Sequence, residues 1–180
     1  MNVKIRSNGW RIVRKLRTYK DGFAFTFASG FGSGLFPVAA GTSGSFAALI
    51  LVVLLTPFPV IANFIFWILL FFAGLWGITH LDRRFQIRDP GFVVIDEWIG
   101  MAIAAAAIPQ DRPLLYVIAF FTFRFFDIVK PGPIKKLDLL SKKQDFRPLF
   151  RAFWVIADDL AAGLVTFAII QSLIHWTKIS

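Results

Sequence analysis

The segment GFVVIDEWIGMAIAAAAIP, residues 91–109, restricts what this chain can fold into more than any other stretch. It is apolar enough for a lipid bilayer, yet Asp96 and Glu97 stand side by side near its start. LLYVIAFFTFRFFDIVKP (114–131) and FWVIADDLAAGLVTFAIIQSLIHW (153–176) repeat the combination with Asp127 and with Asp158–Asp159. An acid at the centre of a membrane helix costs roughly 2.5–3.5 kcal/mol on insertion scales, and less near the interface. Five such acids therefore need partners.

Apolar runs near twenty residues match what a helix needs to cross a hydrocarbon core of roughly 30 Å. With 57% hydrophobic residues and 22 Phe, the chain lies outside ordinary soluble usage. The expected class is all-α: a polytopic helical membrane protein in one domain, 1–180, with about five embedded helices and an N-terminal amphipathic interfacial helix. There is no Cys, which excludes disulfides, thiolate metal sites and a Cys nucleophile. Two His, at 80 and 175, are too few for a His-built zinc site or a Ser-His-Asp triad. Carboxylates must carry any acid chemistry.

Residues 9–20, GWRIVRKLRTYK, read as the interfacial helix, with Ile12, Leu16, Tyr19 and Phe23 on one side. The basic region is too long for a secretory signal, and no small-residue cleavage site follows it. Spans are expected over 34–56, over VIANFIFWILLFFAGLWGI (60–78), over 92–108, over 114–130 and over 153–176, with turns at TPFP, PQDRP and KPGP. The basic residues sort to one side. The interfacial segment 1–22 carries seven of them against Asp21, and the loop 131–152 with Lys130 carries seven against Asp138 and Asp145. TPFP and PQDRP carry no net charge. By the positive-inside rule both basic blocks and the N-terminus face the cytoplasm. Charge that flanks apolar spans in this way indicates lipid headgroups as the anionic partner, not nucleic acid.

This topology brings the acids to one depth. Asp96 and Glu97 lie one turn into a span leaving the cytoplasm, Arg124, Asp127 and Lys130 end a span returning to it, and Asp158 and Asp159 lie one turn into the last. At 1.5 Å per residue all fall within roughly 10 Å of the same membrane face. A structural explanation exists for each acid alone, since a first-turn carboxylate complements the helix dipole and Arg124–Asp127 is an ordinary i, i+3 pair. Three acidic clusters at one depth are not explained that way. Clustered carboxylates share protons or bind a cation, and an oxygen-only donor set suits a hard ion such as Mg²⁺.

On the same side lies SGFGSGLFPVAAGTSGS, residues 29–45. Its glycines permit a nest of N–H donors for an anion, with Ser33, Thr42, Ser43 and Ser45 beside them. The competing reading is close helix packing through Gly30 and Gly34, a GxxxG spacing. No Lys follows, so this is not a P-loop.

GFGSGLFPVAAGTSGS, VVIDEWIGM, FFTFRFFDIVKPGPI and ADDLAAG, in this order and spacing, resemble the phosphatidylglycerophosphatase A family over residues 27–165. The resemblance implies a Mg²⁺-dependent lipid phosphatase of the bacterial cytoplasmic (inner) membrane, multi-pass, with its site facing the cytoplasm. Its reaction would convert phosphatidylglycerophosphate to phosphatidylglycerol and inorganic phosphate. Carried onto this chain, it marks Asp96, Glu97, Asp127, Asp158 and Asp159 as catalytic and metal-binding. Gly41, Thr42 and Ser43 of the GTSGS element, with Arg124 and Lys130, would take the phosphate. Ala40 stands where the family pattern expects Pro. Whether water or a carboxylate attacks phosphorus stays open.

The principal rival is an ion-coupled transporter or metal carrier, which also uses intramembrane carboxylates. Against it, the acids lie near one face and no inverted repeat is visible. A CDP-alcohol phosphotransferase would need a longer Asp signature than DGFAFTF at Asp21 provides.

Overall fold

The computed structural model describes residues 9–86, 90–141 and 147–179, and all regular structure among them is helical. The helices are α1 (Gly9–Val13), α2 (Tyr19–Ala28), α3 (Ala40–Leu55), α4 (Val60–Phe85), α5 (Ile95–Ala104), α6 (Pro113–Val129), α7 (Pro133–Ser141) and α8 (Pro148–Ile179), with a 3-10 turn at Ser33–Leu35. The basic residues Lys4, Arg6, Arg88, Lys142 and Lys143 lie outside the described residues.

Two helices, α4 and α8, are long and apolar enough to cross a membrane. The 16 residues of α3 fall just short of the roughly 17–25 of a spanning helix, and the 17 of α6 reach only its lower end. The expected third span departs most. With 10 residues, α5 covers about 15 Å, half of a hydrocarbon core.

This short helix is the buried centre of the molecule. Seven of its residues are buried, and α3, α4, α6 and α8 all pack on it. Glycines let them approach. A Cβ on Gly74 of α4 would stand 2.5 Å from Ile95, and one on Gly44 of α3 would stand 2.7 Å from Val94. On α8, a Cβ at Gly163 would collide with the carbonyl of Gly100. Three neighbours each give up a side chain where they meet this segment, the small-residue packing common among membrane helices.

The N-terminal expectation needs correction. One helix over 9–20 is replaced by α1 and then α2, because Thr18 and Asp21 form a capping box that starts a new helix. The Asp21 N–H donates to Thr18 Oγ1 at 3.2 Å, and Asp21 Oδ2 accepts from the Thr18 N–H at 3.2 Å. The four residues expected on one side are thereby divided between two helices and their linker, with Ile12 buried in the core and Tyr19 and Phe23 exposed. In the basic loop α7 forms, and α8 begins at Pro148, five residues before the expected span. The polar stretch after residue 78 is also helical as far as Phe85, which places buried Asp82 against Arg151 of α8 at 2.5 Å.

Candidate active site

Asp96 and Glu97 occupy the first turn of α5. Four residues after Asp96 comes Gly100, and four after Asp159 comes Gly163. These two glycines cross where a Cβ on Gly100 would lie 2.7 Å from the Asp159 carbonyl oxygen. The two helices run in the same direction, since further along α8 Gln171 donates to the Ala106 carbonyl at 3.1 Å. Each acidic turn therefore sits one turn before the same tight crossing, and the acids meet. Carboxylate oxygens of Asp96, Glu97 and Asp159 lie within 4.8 Å of one another.

The other two expected acids face cations. Asp127 pairs with Arg124 one turn earlier on α6, and Asp158 pairs with Lys130. Adjacent side chains on a helix point about 100° apart, so Asp158 turns to Lys130 while Asp159 turns to Asp96 and Glu97. Lys130 reaches Asp158 from an unusual backbone conformation. It ends α6 with φ 46°, in the left-handed region, which costs a non-glycine residue on the order of 1–3 kcal/mol and is concentrated at functional sites.

Arg124 is the hub. Beyond Asp127, its Nη1 lies 4.0 Å from Glu97 Oε1 and donates to Ser45 Oγ at 3.3 Å. Ser45 in turn donates to the Gly41 carbonyl at 2.9 Å. That chain of contacts draws the start of α3 to the acids. A Cβ on Gly41 would collide with Glu97 Oε1 and stand 3.2 Å from both terminal nitrogens of Arg124. Ala39 precedes α3 with φ 53° and offers no side-chain cap. The first N–H groups of a helix lack partners within it, and together with the dipole they favour an anion.

The glycine-rich stretch thus divides into two. Gly30 and Gly34 serve packing, because a Cβ at Gly30 would collide with the Trp98 indole and one at Gly34 with the Phe92 carbonyl. Gly41, in the first turn of α3, lies against Glu97 and Arg124, and Thr42 follows it in the same turn. Ser43, expected as a phosphate donor, gives its hydroxyl to the Ser33 and Ala40 carbonyls at 2.7 and 2.8 Å and fastens the 3-10 turn to α3. Ser45 was the residue that sequence reasoning undervalued, and nothing local marks it as the partner of Arg124, 79 positions away.

Glu97 Oε2 and Arg124 Nε, both buried at the centre, have no hydrogen-bond partner among the described residues. Buried polar groups are nearly always satisfied. A leftover acceptor among three carboxylates and a leftover donor on the adjacent guanidinium fit a site for a cation and an anion side by side. The oxygen-only donor set of Asp96, Glu97 and Asp159 could hold a hard cation.

A family model described as Phosphatidylglycerophosphatase A matches residues 26–174. Among curated proteins, phosphatidylglycerophosphatase A of Haemophilus influenzae is 36% identical over 150 residues, covering 83% of this chain and 87% of that protein. The Escherichia coli protein of the same name is 31% identical over 155 residues, 82% of this chain and 81% of its own. A putative phosphatidylinositol-3-phosphatase of Bacteroides thetaiotaomicron is 37% identical over 149 residues, 79% and 87%. No solved structure matches. With acids, basic residues and glycines gathered in one place and a family match that runs through all of them, the chain belongs to the phosphatidylglycerophosphatase A family of phosphomonoesterases.

Proposed function

We propose that this protein hydrolyses phosphatidylglycerophosphate to phosphatidylglycerol and inorganic phosphate at the cytoplasmic face of a bacterial inner membrane. The observation that carries this reading is the meeting of Asp96, Glu97 and Asp159 beside Arg124 and the start of α3.

Asp96, Glu97 and Asp159 would hold Mg²⁺. Such an ion supplies charge neutralisation at phosphate oxygens. Arg124, kept in place by Asp127 and Ser45, presents N–H donors to the phosphoryl group, and the charge that develops there is what such donors stabilise. The N–H groups at the first turn of α3 receive a second phosphate oxygen. Lys130, anchored by Asp158, holds the edge of the site and counters the remaining negative charge of the lipid headgroup.

The membrane reading is supported by α4. Ile61, Phe64, Ile65, Leu69 and Phe72 are all exposed along it, and lipid tails are the natural cover for such a surface. In that reading α4 and α8 cross fully, α3 and α6 flank them, and α5 reaches from the inner headgroups to mid-bilayer. The basic segments 1–22 and 131–152 then lie on the cytoplasmic leaflet, where anionic headgroups attract them.

The test is phosphate release by purified protein from phosphatidylglycerophosphate, phosphatidic acid and phosphatidylinositol 3-phosphate, each with Mg²⁺ and with a chelator. Preference for the first substrate, abolished by chelation, is the expected result. The Bacteroides relative's name makes the third substrate the informative competitor. Turnover of none of the three, with Mg²⁺-dependent cation flux in sealed vesicles, would favour a transporter.

A further inference from the structure

Below the acid cluster, the shortness of α5 leaves a cavity of about 540 Å³. It begins next to the site. Ile99, one turn after Asp96, and Leu160, adjacent to Asp159, form its near end, while Thr56, Asn63 and Tyr116 form its far end. Tyr116 precedes Asp127 by eleven residues on α6, about 16 Å of helix at 1.5 Å per residue. That is close to the depth of one leaflet, half of a hydrocarbon core of roughly 30 Å.

The polar side chains at the far end already bond to the backbone. Tyr116 donates to the Ile108 carbonyl at 2.9 Å and Thr56 to the Val52 carbonyl at 2.8 Å. The Asn63 amide donates to the Leu55 and Phe58 carbonyls at 3.0 and 3.1 Å. The rest of the lining is Ile, Val, Ala, Leu, Phe and Trp. An occupant therefore needs no polar group. At about 540 Å³ the cavity falls within the roughly 300–1,000 Å³ of pockets that bury a drug-sized ligand, room for one long acyl chain. Phe58, Val60, Phe64 and Ile68 on the lip are exposed, so a chain can slide in sideways from a bilayer.

We infer that this cavity receives one acyl chain of the phosphorylated lipid whose headgroup sits at Asp96, Glu97 and Asp159. The inference rests on the phosphatase reading for the identity of the headgroup, and on the cavity alone for the chain. It makes the enzyme a reader of chain length as well as of phosphate. A chain too short to pass Ile99 gains nothing from the lining.

Two measurements test it. Wild-type protein in phosphatidylcholine vesicles is irradiated with phosphatidic acid carrying a diazirine at the tip of one long acyl chain, and separately with phosphatidylcholine carrying the same group. Adducts are mapped by mass spectrometry. Labelling of Trp67, Phe71 or Ile103 by the phosphatidic acid probe, several-fold above the phosphatidylcholine probe, is expected. Equal labelling by both probes means bulk lipid fills the cavity and overturns the inference, as does labelling confined to the outer face of α4. This readout needs no turnover, so a failed phosphatase assay leaves it standing. Second, Ala106→Phe, which projects into the cavity, should lower the ratio of long-chain to dihexanoyl turnover about tenfold, the discrimination a shaped apolar pocket can supply. An unchanged ratio overturns the inference.

Discussion

Gly163 packs directly against the carbonyl oxygen of Gly100, with no room between them for a methyl group. That contact is what places Asp159 beside Asp96 and Glu97. Gly163→Val should force α5 and α8 apart at a stability cost of about 1–3 kcal/mol, typical of overpacking. Phosphate release should fall by more than that loss of folded protein explains, because the carboxylates separate. Thermal stability and specific activity measured on the same preparation check this; a variant with wild-type specific activity would show that the crossing does not set the site.

Glu97→Gln and Asp159→Asn each remove one charge from the triad. If the carboxylates hold a divalent ion worth several kcal/mol to the reaction, kcat should fall at least about a hundredfold at 1.36 kcal/mol per decade. The Mg²⁺ concentration for half-activation should rise, while the amount of protein in the membrane stays the same. Wild-type turnover by both variants would remove the triad from the chemistry.

Arg124→Lys keeps a charge but loses the planar guanidinium whose Nη1 meets Asp127, Ser45 and Glu97. A loss of about a hundredfold in kcat is expected, the scale for removing a preorganised donor to a developing oxyanion. Ser45→Ala should cost less, about tenfold, since it removes only the two neutral-partner hydrogen bonds that tie Arg124 to the Gly41 turn and leaves the guanidinium in place. The order of the two effects is the check: a Ser45→Ala loss larger than that of Arg124→Lys would point to a direct role for the hydroxyl.

Asp21 supplies a pH test away from the site. The hydrogen bond from His80, at 2.8 Å, holds its carboxyl well below the usual range despite burial, helped by Thr18 and the Arg17 N–H. A depressed carboxylate stabilises the fold above its unfolded pKa of about 4 and loses that contribution as pH falls below it. Wild type should therefore melt higher than Asp21→Asn at neutral pH, and the gap should begin to narrow below about pH 4 and go on shrinking as the pH falls towards the depressed folded pKa. A gap independent of pH would mean that the capping box, not the charge, accounts for it.

Much of the site was legible in the chain. The positions of all five acids, of Arg124 and of Lys130 followed from apolar segments interrupted by charge, and their common depth followed from helical rise. DEWIG and DDLAAG even carried the clue to the crossing, a glycine four residues after an acid in each. The i, i+3 pairing of Arg124 with Asp127 was also legible, because it is local to one helix.

The division of labour among the acids was not. Nothing in ADDLAAG tells which aspartate turns to Lys130 and which to Asp96 and Glu97; the rotation of α8 about its axis decides that, and the glycine contact with α5 fixes the rotation. Nor could spacing separate Gly30 and Gly34, which pack on Trp98 and Phe92, from Gly41, which faces Arg124. The length of α5 was misjudged because Ala-rich sequence continues to residue 107, where φ 60° shows the chain already turning.

Sequence alone determined a helical chain with acids gathered at one level, since hydropathy and helical rise act along a single segment. Tertiary structure decided which side chains touch, which three carboxylates lie within 4.8 Å of one another, and that a cavity opens beneath them. Those outcomes depend on close packing between segments some sixty residues apart, and packing is a property of surfaces that no one-dimensional pattern records.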